Sequence, residues 1–114
     1  MSECIFCKII SKEIPGNIVY EDEKVLAFHD ISPGAPIHIL IVPKNHIDSI
    51  EHITQEHKEL LGHIHLVAKK IAEELKINHA GYRIVNNCGE AGGQTVQHIH
   101  FHLLGGRQMK WPPG

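Results

Sequence analysis

The stretch LLGHIHLVAKKIAEEL, residues 60–75, decides the fold of this 114-residue chain. Its apolar side chains recur at steps of three and four, the spacing that places them on one face of an α-helix. They are Leu60, Leu61, Ile64, Val67, Ala68, Ile71, Ala72 and Leu75. We therefore expect a long helix after Thr54, with one apolar stripe that packs on a sheet.

Segments rich in β-branched residues lie on both sides of this helix. NIVYE and VLAFHD predict a hairpin over residues 17–21 and 25–30, and IHILIVPK predicts a buried strand that Pro43 ends. YRIVNN and the segment from Val96 to Leu104 predict two more strands, while Cys4 to Ile10 predicts a short helix. We expect one α+β domain over residues 1–114, with an antiparallel sheet of about five strands, one long helix and one short helix.

Composition and charge exclude several classes of protein. The formal net charge of −2, from 11 basic and 13 acidic side chains, leaves no basic stripe for a nucleic-acid backbone. Glu3 and Lys8 interrupt the first apolar run, which argues against a signal peptide, and no apolar run reaches membrane-spanning length. Three cysteines, an odd number, argue against a disulfide framework. We therefore expect a cytoplasmic protein that binds neither nucleic acid nor membrane.

The segment HIHFH, residues 98–102, carries three histidines at alternate positions. Because successive residues of a strand point to opposite faces, His98, His100 and His102 should share one face. The alternate apolar residues Ile99, Phe101 and Leu103 should then pack under the long helix, as the pattern of a half-buried strand requires. Histidines two residues apart on a strand are separated by about 6 to 7 Å, so neighbouring rings can contact one small ligand.

Two chemical interpretations of this histidine face are equally consistent with its spacing. Neutral imidazoles can bind Zn²⁺ and leave an open catalytic position. Alternatively, one imidazole attacks phosphorus, provided that a fixed acceptor holds the proton of one ring nitrogen so that the other presents a lone pair. The flanking histidines would then donate to phosphate oxygens. A third interpretation is a strand with half-exposed histidines and no chemical role.

The residues before this strand allow contact with an anion. GEAGGQT, residues 89–95, has three glycines, which let backbone N–H groups approach a phosphate closely. Asn86 could hydrogen-bond a phosphate, although an Asn that caps a turn is as common. Thr95 supplies a hydroxyl near the strand, which β propensity alone would also explain.

Three stretches resemble the histidine triad family, and in particular its branch of HINT-type nucleotide-binding proteins. They are KIISKEIP, FHDISPGAPIHILIVPKNH and GGQTVQHIHFHLLGGRQMKWPPG. Together with the other stretches, the H-x-H-x-H segment is characteristic of the histidine triad family, and the WPPG motif narrows the resemblance to the HINT branch. That family is known for hydrolysing purine nucleoside phosphoramidates and related nucleotidyl conjugates. The resemblance therefore implies a hydrolase that releases a nucleoside monophosphate.

The resemblance also implies roles for individual residues. His100 would be the nucleophile that attacks the α-phosphorus, and no cofactor would be needed for catalysis. His98 and His102 would orient it and contact phosphate, with Asn86 and Thr95 assisting the phosphate and the leaving group. The rest of the nucleotide site would comprise Asp30 on the ribose hydroxyls, the loop residues Gly93 and Gln94, and an apolar base slot of Ile5, Phe6, Ile9, Phe28 and Ile31. From the residues alone, these five apolar side chains could equally be ordinary core.

Two residues depart from the family pattern near the histidines. Thr95 stands where the HINT branch commonly has Ser, which keeps the hydroxyl and adds a methyl group. Gln97 stands where an aromatic residue is common. These departures bear on substrate preference more than on the chemistry.

The pair in CIFC, Cys4 and Cys7, is a larger departure, because many HINT proteins lack both cysteines. Some bacterial relatives carry them with a bound zinc, and by resemblance to those the other two ligands would be His46 and His98. A closed set of four ligands is the pattern of a structural zinc site. The alternatives are a redox pair, which the lack of a preceding strand disfavours, and two cysteines with no special role.

Two other functions remain open from the sequence: a module that binds purine nucleotides with little turnover, and a zinc-dependent hydrolase. The resemblance further implies a homodimer in which MKWPPG reaches the partner's active site. His63 and His65 should point to different faces of the long helix. The remaining histidines, His29, His38, His52, His57 and His79, are expected to be surface or packing residues, and Cys88 a small loop residue.

Overall fold

One antiparallel sheet organises the protein, and its five strands, numbered along the chain, lie side by side in the order 1-2-3-5-4. The computed structural model describes residues 3–114, and Met1 and Ser2 lie outside the described residues. The elements are α1 (Ile5–Ile10), β1 (Ile18–Glu21), β2 (Val25–His29), β3 (Ile37–Pro43), α2 (Lys58–Glu74), β4 (Tyr82–Asn86) and β5 (Phe101–Gly105), with two 3-10 turns, Ile50–His52 and Gln55–His57, before α2. The predicted α+β class, the five strands and the long and short helices are confirmed.

Helix α2 covers one face of the sheet with the predicted apolar stripe. The buried residues of the helix are Ile64, Val67, Ala68, Ile71 and Ala72. They share a core with alternate residues of the strands and of the segment before β5, namely Val25, Ala27, Ile39, Ile41, Ile99, Phe101 and Leu103. Full burial of one such Val, Ile or Leu side chain contributes about 1.5–3 kcal/mol, so this layer is the main stabilising contact of the fold.

Helix α1 lies on the opposite face of the sheet, where it packs on the other alternate residues. Phe6 and Ile9 of α1 contact a second cluster formed by Leu26, Phe28, Leu40 and Val42. Cys4 is the N-cap of this helix, and its sulfur accepts a hydrogen bond from the backbone N–H of Cys7 at 3.4 Å. The helix therefore brings Phe6 and both cysteines to the face of the sheet that carries the histidines.

Asp22, in the turn of the β1–β2 hairpin, ties that hairpin to α2. Its carboxylate accepts the N–H groups of Lys24 and Val25 at 2.7 and 2.9 Å and the hydroxyl of Tyr20 at 2.8 Å. The Nε2 of His63 lies 2.7 Å from it, while His65 bonds back to its own helix. Partial burial opposes ionisation of Asp22, yet these hydrogen bonds hold the pKa of its carboxyl well below the usual range. The two histidines face different ways, as predicted.

The last strand is shorter than the sequence predicts. It was expected over Val96 to Leu104, and the ladder runs from Phe101 to Gly105. Residues 96–100 leave the ladder because Asn86 ends β4 on one side, while on the other the N–H of Ile99 donates to the carbonyl of Ile47 at 2.6 Å. Alternation of the side chains persists nevertheless, since Ile99, Phe101 and Leu103 all lie in the core under α2. No helix of the described residues is long and apolar enough to cross a membrane.

Candidate active site and metal site

His100 lies buried on the histidine face with the proton of its ring in a defined place. Its Nδ1 is 2.8 Å from the carbonyl oxygen of His98, which can only accept, so Nδ1 carries the proton and donates. Every buried side-chain nitrogen or oxygen of residues 3–114 has a hydrogen-bond partner. No described residue bonds to Nε2 of His100, so that nitrogen must touch solvent. His100 therefore presents an unshared lone pair on Nε2.

His102 is held by a chain of hydrogen bonds that begins at the backbone. The N–H of Gly34 donates to Nδ1 of His38 at 2.8 Å, so the proton of a neutral His38 ring is on Nε2. That Nε2 lies 2.9 Å from Nδ1 of His102, which must accept. His102 consequently carries its own proton on Nε2. The rings of His100 and His102 have centroids 5.2 Å apart, so the ring with a donor N–H adjoins the ring that presents a lone pair.

Burial keeps both rings of this relay neutral. It lowers the pKa of His102 to about 4, and the neighbouring His100 and His38 add to the effect. Burial also lowers the pKa of His38, although the carboxylate of Asp30, 3.5 Å away, opposes the shift. Near neutral pH the relay therefore works through hydrogen bonds between neutral imidazoles.

His38 is the functional candidate that the sequence argument missed. It was expected to be a surface or packing residue, and its side chain is only 10% exposed and bonded to His102. The available signal was the alternation in IHILIVPK, which places His38 on the same face as Leu40, the direct partner of His102 across the sheet. Only the register between β3 and β5 turns that shared face into a contact.

Three residues predicted for the nucleotide site, Asn86, Gly93 and Gln94, hold the backbone around the histidines and the loop before them. Asn86 donates from Nδ2 to the carbonyl of His100 at 2.9 Å, which fixes the backbone at that residue. Gln94 is buried, and its side-chain amide bonds to Gly89, Asp48 and Val96. Gly93 has a φ of 84°, a conformation that favours glycine. Thr95, which follows Gln94, is exposed, so its hydroxyl is open to a ligand.

The five residues predicted for an apolar base slot divide into two groups. Phe6, Ile9 and Phe28 are buried, and the ring of Phe6 meets Phe28 edge-on with centroids 5.7 Å apart. Ile5 and Ile31 are 47% and 96% exposed. The alternative that all five are ordinary core is therefore wrong for Ile5 and Ile31. Asp30, which precedes Ile31, accepts the N–H of Ser32 at 2.7 Å with one carboxylate oxygen.

Cys4, Cys7, His46 and His98 converge as the sequence predicts for a metal site. The Nδ1 of His98 lies 3.3 and 3.6 Å from the two sulfurs, and the Nδ1 of His46 lies 3.3 Å from Cys7. All four donor atoms lie within 4.8 Å of one another. Tetrahedral zinc, with bonds of about 2.0 Å to nitrogen and about 2.3 Å to sulfur, separates its ligand atoms by about 3.5 Å. This cluster fits a structural zinc ion.

In His98 and His46, a hydrogen-bond acceptor at Nε2 leaves the lone pair of Nδ1 directed at the cysteine sulfurs. His98 donates from Nε2 to the carbonyl of Pro43 at 2.9 Å, and His46 places Nε2 2.8 Å from the carboxylate of Asp48. Such acceptors on the far nitrogen are typical of metal-bound histidine. Burial lowers the pKa of His98, which keeps the ring in its metal-binding form. Burial raises the pKa of Cys4, so a thiolate there needs a cation beside it.

The same contacts narrow the role of His98. Its ring is fully buried, and both ring nitrogens are engaged, one by Pro43 and one by the sulfurs. A phosphate oxygen delivered from solvent would find no N–H on this ring. Of the two roles predicted for His98, the geometry supports orientation of His100 and does not support phosphate contact.

Asp30, His38 and His102 form a second group of potential metal ligands. For His38 to bind a metal through Nε2, its proton would have to move to Nδ1, which already faces the N–H of Gly34. Two donors would then oppose each other, and the hydrogen bond from Gly34, worth about 0.5–1.5 kcal/mol, would be lost. The arrangement therefore favours a hydrogen-bond relay over the catalytic zinc site that the sequence left open.

Comparison with known proteins finds a matching family and relatives similar over nearly the whole chain. Residues 11–109 match the HIT domain family. An uncharacterized HIT-like protein of Synechococcus elongatus is 56% identical over 115 aligned residues, with all of both chains covered. A 14 kDa zinc-binding protein of Zea mays is 55% identical, covering 99% of this chain and 89% of its own length. The crystal structure of a HIT family hydrolase from Legionella pneumophila has a TM-score of 0.97 and 53% identity, covering 98% of this chain and 100% of its own.

Proposed function

The chain belongs to the HIT domain family, and from that premise we propose that it hydrolyses purine nucleoside phosphoramidates or related nucleotidyl conjugates through a nucleotidyl-His100 intermediate. The observation that carries the proposal is the 2.8 Å hydrogen bond from Nδ1 of His100 to the carbonyl of His98. This bond leaves a neutral nucleophile at Nε2 that needs no prior deprotonation. Support comes also from the names of similar structures, which include HIT family hydrolases from Legionella pneumophila and Clostridium thermocellum.

The reaction proceeds in two displacements at phosphorus. In the first, Nε2 of His100 forms a bond to the α-phosphorus as the P–N bond of the substrate breaks. The leaving amine takes a proton, relayed from solvent through the exposed hydroxyl of Thr95. In the second, water attacks phosphorus and loses a proton to solvent, and the bond to His100 breaks, which restores the lone pair and releases the nucleoside monophosphate. The N–H of His102 stabilises charge on a phosphate oxygen in both steps.

The nucleotide occupies the surface between α1 and the loop after β2. The carboxylate of Asp30 has lone pairs beyond its bond to Ser32 for the ribose hydroxyls. Exposed Ile5 and Ile31 provide apolar contacts for a purine. The WPPG end supports the HINT branch of the family, whose members act on purine nucleotides.

We also propose that Cys4, Cys7, His46 and His98 hold a structural zinc ion. The donor set, its spacing and the acceptors on both outer ring nitrogens support it, and the similar Zea mays protein is named for zinc binding. When bound, zinc would cross-link α1 to the segments after β3 and before β5. Four protein ligands leave no open position for a water nucleophile, so its role is structural.

A homodimer completes the proposal. Trp111 is 81% exposed within MKWPPG, and β4 is an edge strand. Exposed tryptophan and an unpaired strand edge both mark surfaces that favour association. Sedimentation equilibrium should give twice the mass of one chain, and a monomer at all concentrations would contradict this part.

Turnover of adenosine 5′-phosphoramidate in the presence of EDTA tests the function. We expect wild type and the surface variant His79→Gln to release AMP, and His100→Ala to bind AMP without turnover. If wild type binds AMP and releases none from the substrate, the protein is a binding module. If zinc-loaded His100→Ala turns the substrate over as fast as zinc-loaded wild type, a metal is the catalyst and the nucleophile assignment is wrong.

A further inference from the structure

His98 belongs to both clusters, since its ring faces the cysteines and its carbonyl fixes the proton of His100. We propose that Cys4, Cys7 and His46 are positioning residues for the nucleophile. By clamping the backbone around His98, they hold the oxygen that keeps the proton of His100 on Nδ1. The inference rests on the proposed function, because it concerns the reactive form of the same histidine.

The peptide unit between His98 and Ile99 is held from both sides, by His100 and by Ile47, the residue next to His46. Its carbonyl oxygen accepts from His100, and its N–H, on Ile99, donates to the carbonyl of Ile47 at 2.6 Å. Ile47 directly follows His46, and His98 carries the peptide unit itself. The two histidines of the cluster therefore determine the orientation of this peptide plane.

Regular strand pairing gives this peptide unit no support. The ladder of β5 begins at Phe101, so residues 98 and 99 lie outside it. The ring nitrogens of His98 bond to Pro43 on one side and to the sulfurs on the other, and the rings of His46 and Phe6 pack edge-on against it. Removing the contacts to the sulfurs leaves one hydrogen bond to hold the ring, and the carbonyl of His98 is then free to turn away from His100.

The consequence for His100 is a change of tautomer. Without an acceptor at Nδ1, nothing in the site favours the proton there over Nε2. A ring with its proton on Nε2 has no lone pair directed at phosphorus, and the attack fails. A net hydrogen bond of ordinary strength corresponds to about a fivefold change in the ratio of the two tautomers. The bond from Asn86 to the carbonyl of His100 remains, so the backbone there stays in place.

A purely structural role for the cluster predicts a different defect. The cluster also anchors α1, whose Phe6 lies against His100 with ring centroids 5.0 Å apart. Release of α1 alone would loosen the base slot and raise KM, with the tautomer of His100 unchanged. Our inference requires a fall in kcat in proportion to the lost Nδ1–H form, about twofold for an equal mixture, together with the shift of tautomer.

The test is nitrogen NMR of the histidine rings at about pH 8, above the ordinary imidazole pKa of about 6.5. Zinc-loaded wild type is compared with His46→Gln, which removes one ligand, and with the surface control His79→Gln. The signals of His100 are identified as those lost in His100→Ala. We expect the Nδ1–H form in wild type and in His79→Gln, and a mixture with the Nε2–H form in His46→Gln.

An unchanged tautomer in a folded His46→Gln protein would overturn the inference, whatever the change in KM. Should that variant unfold, wild type stripped of zinc by chelator and then reloaded gives the same comparison, with far-UV circular dichroism as the check on folding. These spectra need no turnover. An inactive enzyme with the expected tautomers would overturn the proposed function alone, and an active enzyme with unchanged tautomers would overturn this inference alone.

Discussion

Lowering the pH should destabilise the protein, and one identified residue, His102, should account for about 2 kcal/mol of that loss. Burial lowers its pKa to about 4 from an ordinary value of 6.5. Between these values the unfolded chain binds a proton at this residue and the folded chain does not, so the free energy of unfolding decreases as pH falls. Protonation of His102 in the unfolded chain lowers the free energy of unfolding by about 2 kcal/mol at about pH 5 and by about 3 kcal/mol below about pH 4.

Urea unfolding of wild type and His102→Gln at about pH 7 and about pH 5 isolates this contribution. Glutamine can still accept the proton of His38 and has no charge to gain. The other ionisable side chains around the same ring, His100, His38 and Asp30, remain in both proteins. Wild type should lose about 2 kcal/mol more than the variant over this range. Parallel losses would show that His102 titrates at its ordinary pKa and refute the burial argument.

Three further changes test other parts of the structure. Gly105→Ala places a Cβ 2.5 Å from Cδ1 of Ile77 and should lower the free energy of unfolding by about 1–3 kcal/mol, measured by thermal denaturation. Gly62→Ala on α2 has open space around it and should raise that free energy by up to about 1 kcal/mol. Equal effects of the two substitutions would contradict the packing of Ile77. Cys4→Ser should reduce the zinc content found by elemental analysis, and an unchanged stoichiometry would remove Cys4 from the ligand set. Thr95→Val should slow release of poor amine leaving groups about tenfold or more while Thr95→Ser does not, and equal rates would exclude the hydroxyl from proton transfer.

The elements that hydrophobic periodicity determines were predictable from the sequence. The stripe from Leu60 to Leu75 fixes α2, and the runs that end at Glu21 and Pro43 fix the first three strands within one or two residues. Their burial pattern is a local property of the chain, so no knowledge of the pairing was needed. The start of β5 was wrong because it depends on where Asn86 ends its neighbour β4, which no periodicity in residues 96–100 records.

Most residues of the candidate site were predictable from the sequence, but the hydrogen bonds that set their protonation were not. The alternation in HIHFH gave three histidines, but the acceptors that fix their protons are backbone carbonyls of Pro43 and His98. Such acceptors carry no signature in the side-chain sequence. His38 was missed for a related reason, since its bond to His102 spans 64 residues and depends on strand register. Asp48, which orients His46, went unnoticed because a carboxylate two residues from a histidine is commonplace.

The most direct measurement of the central claim is the intact mass of the protein quenched in acid-free denaturant within one turnover of adenosine 5′-phosphoramidate. Wild type should carry one added adenylyl group, which peptide mapping places on His100 and which disappears as AMP is released. His100→Ala should carry none, and His79→Gln should match wild type. An adenylyl group on another residue, or AMP released by wild type with no adduct at any time, would contradict the account of His100 as the nucleophile.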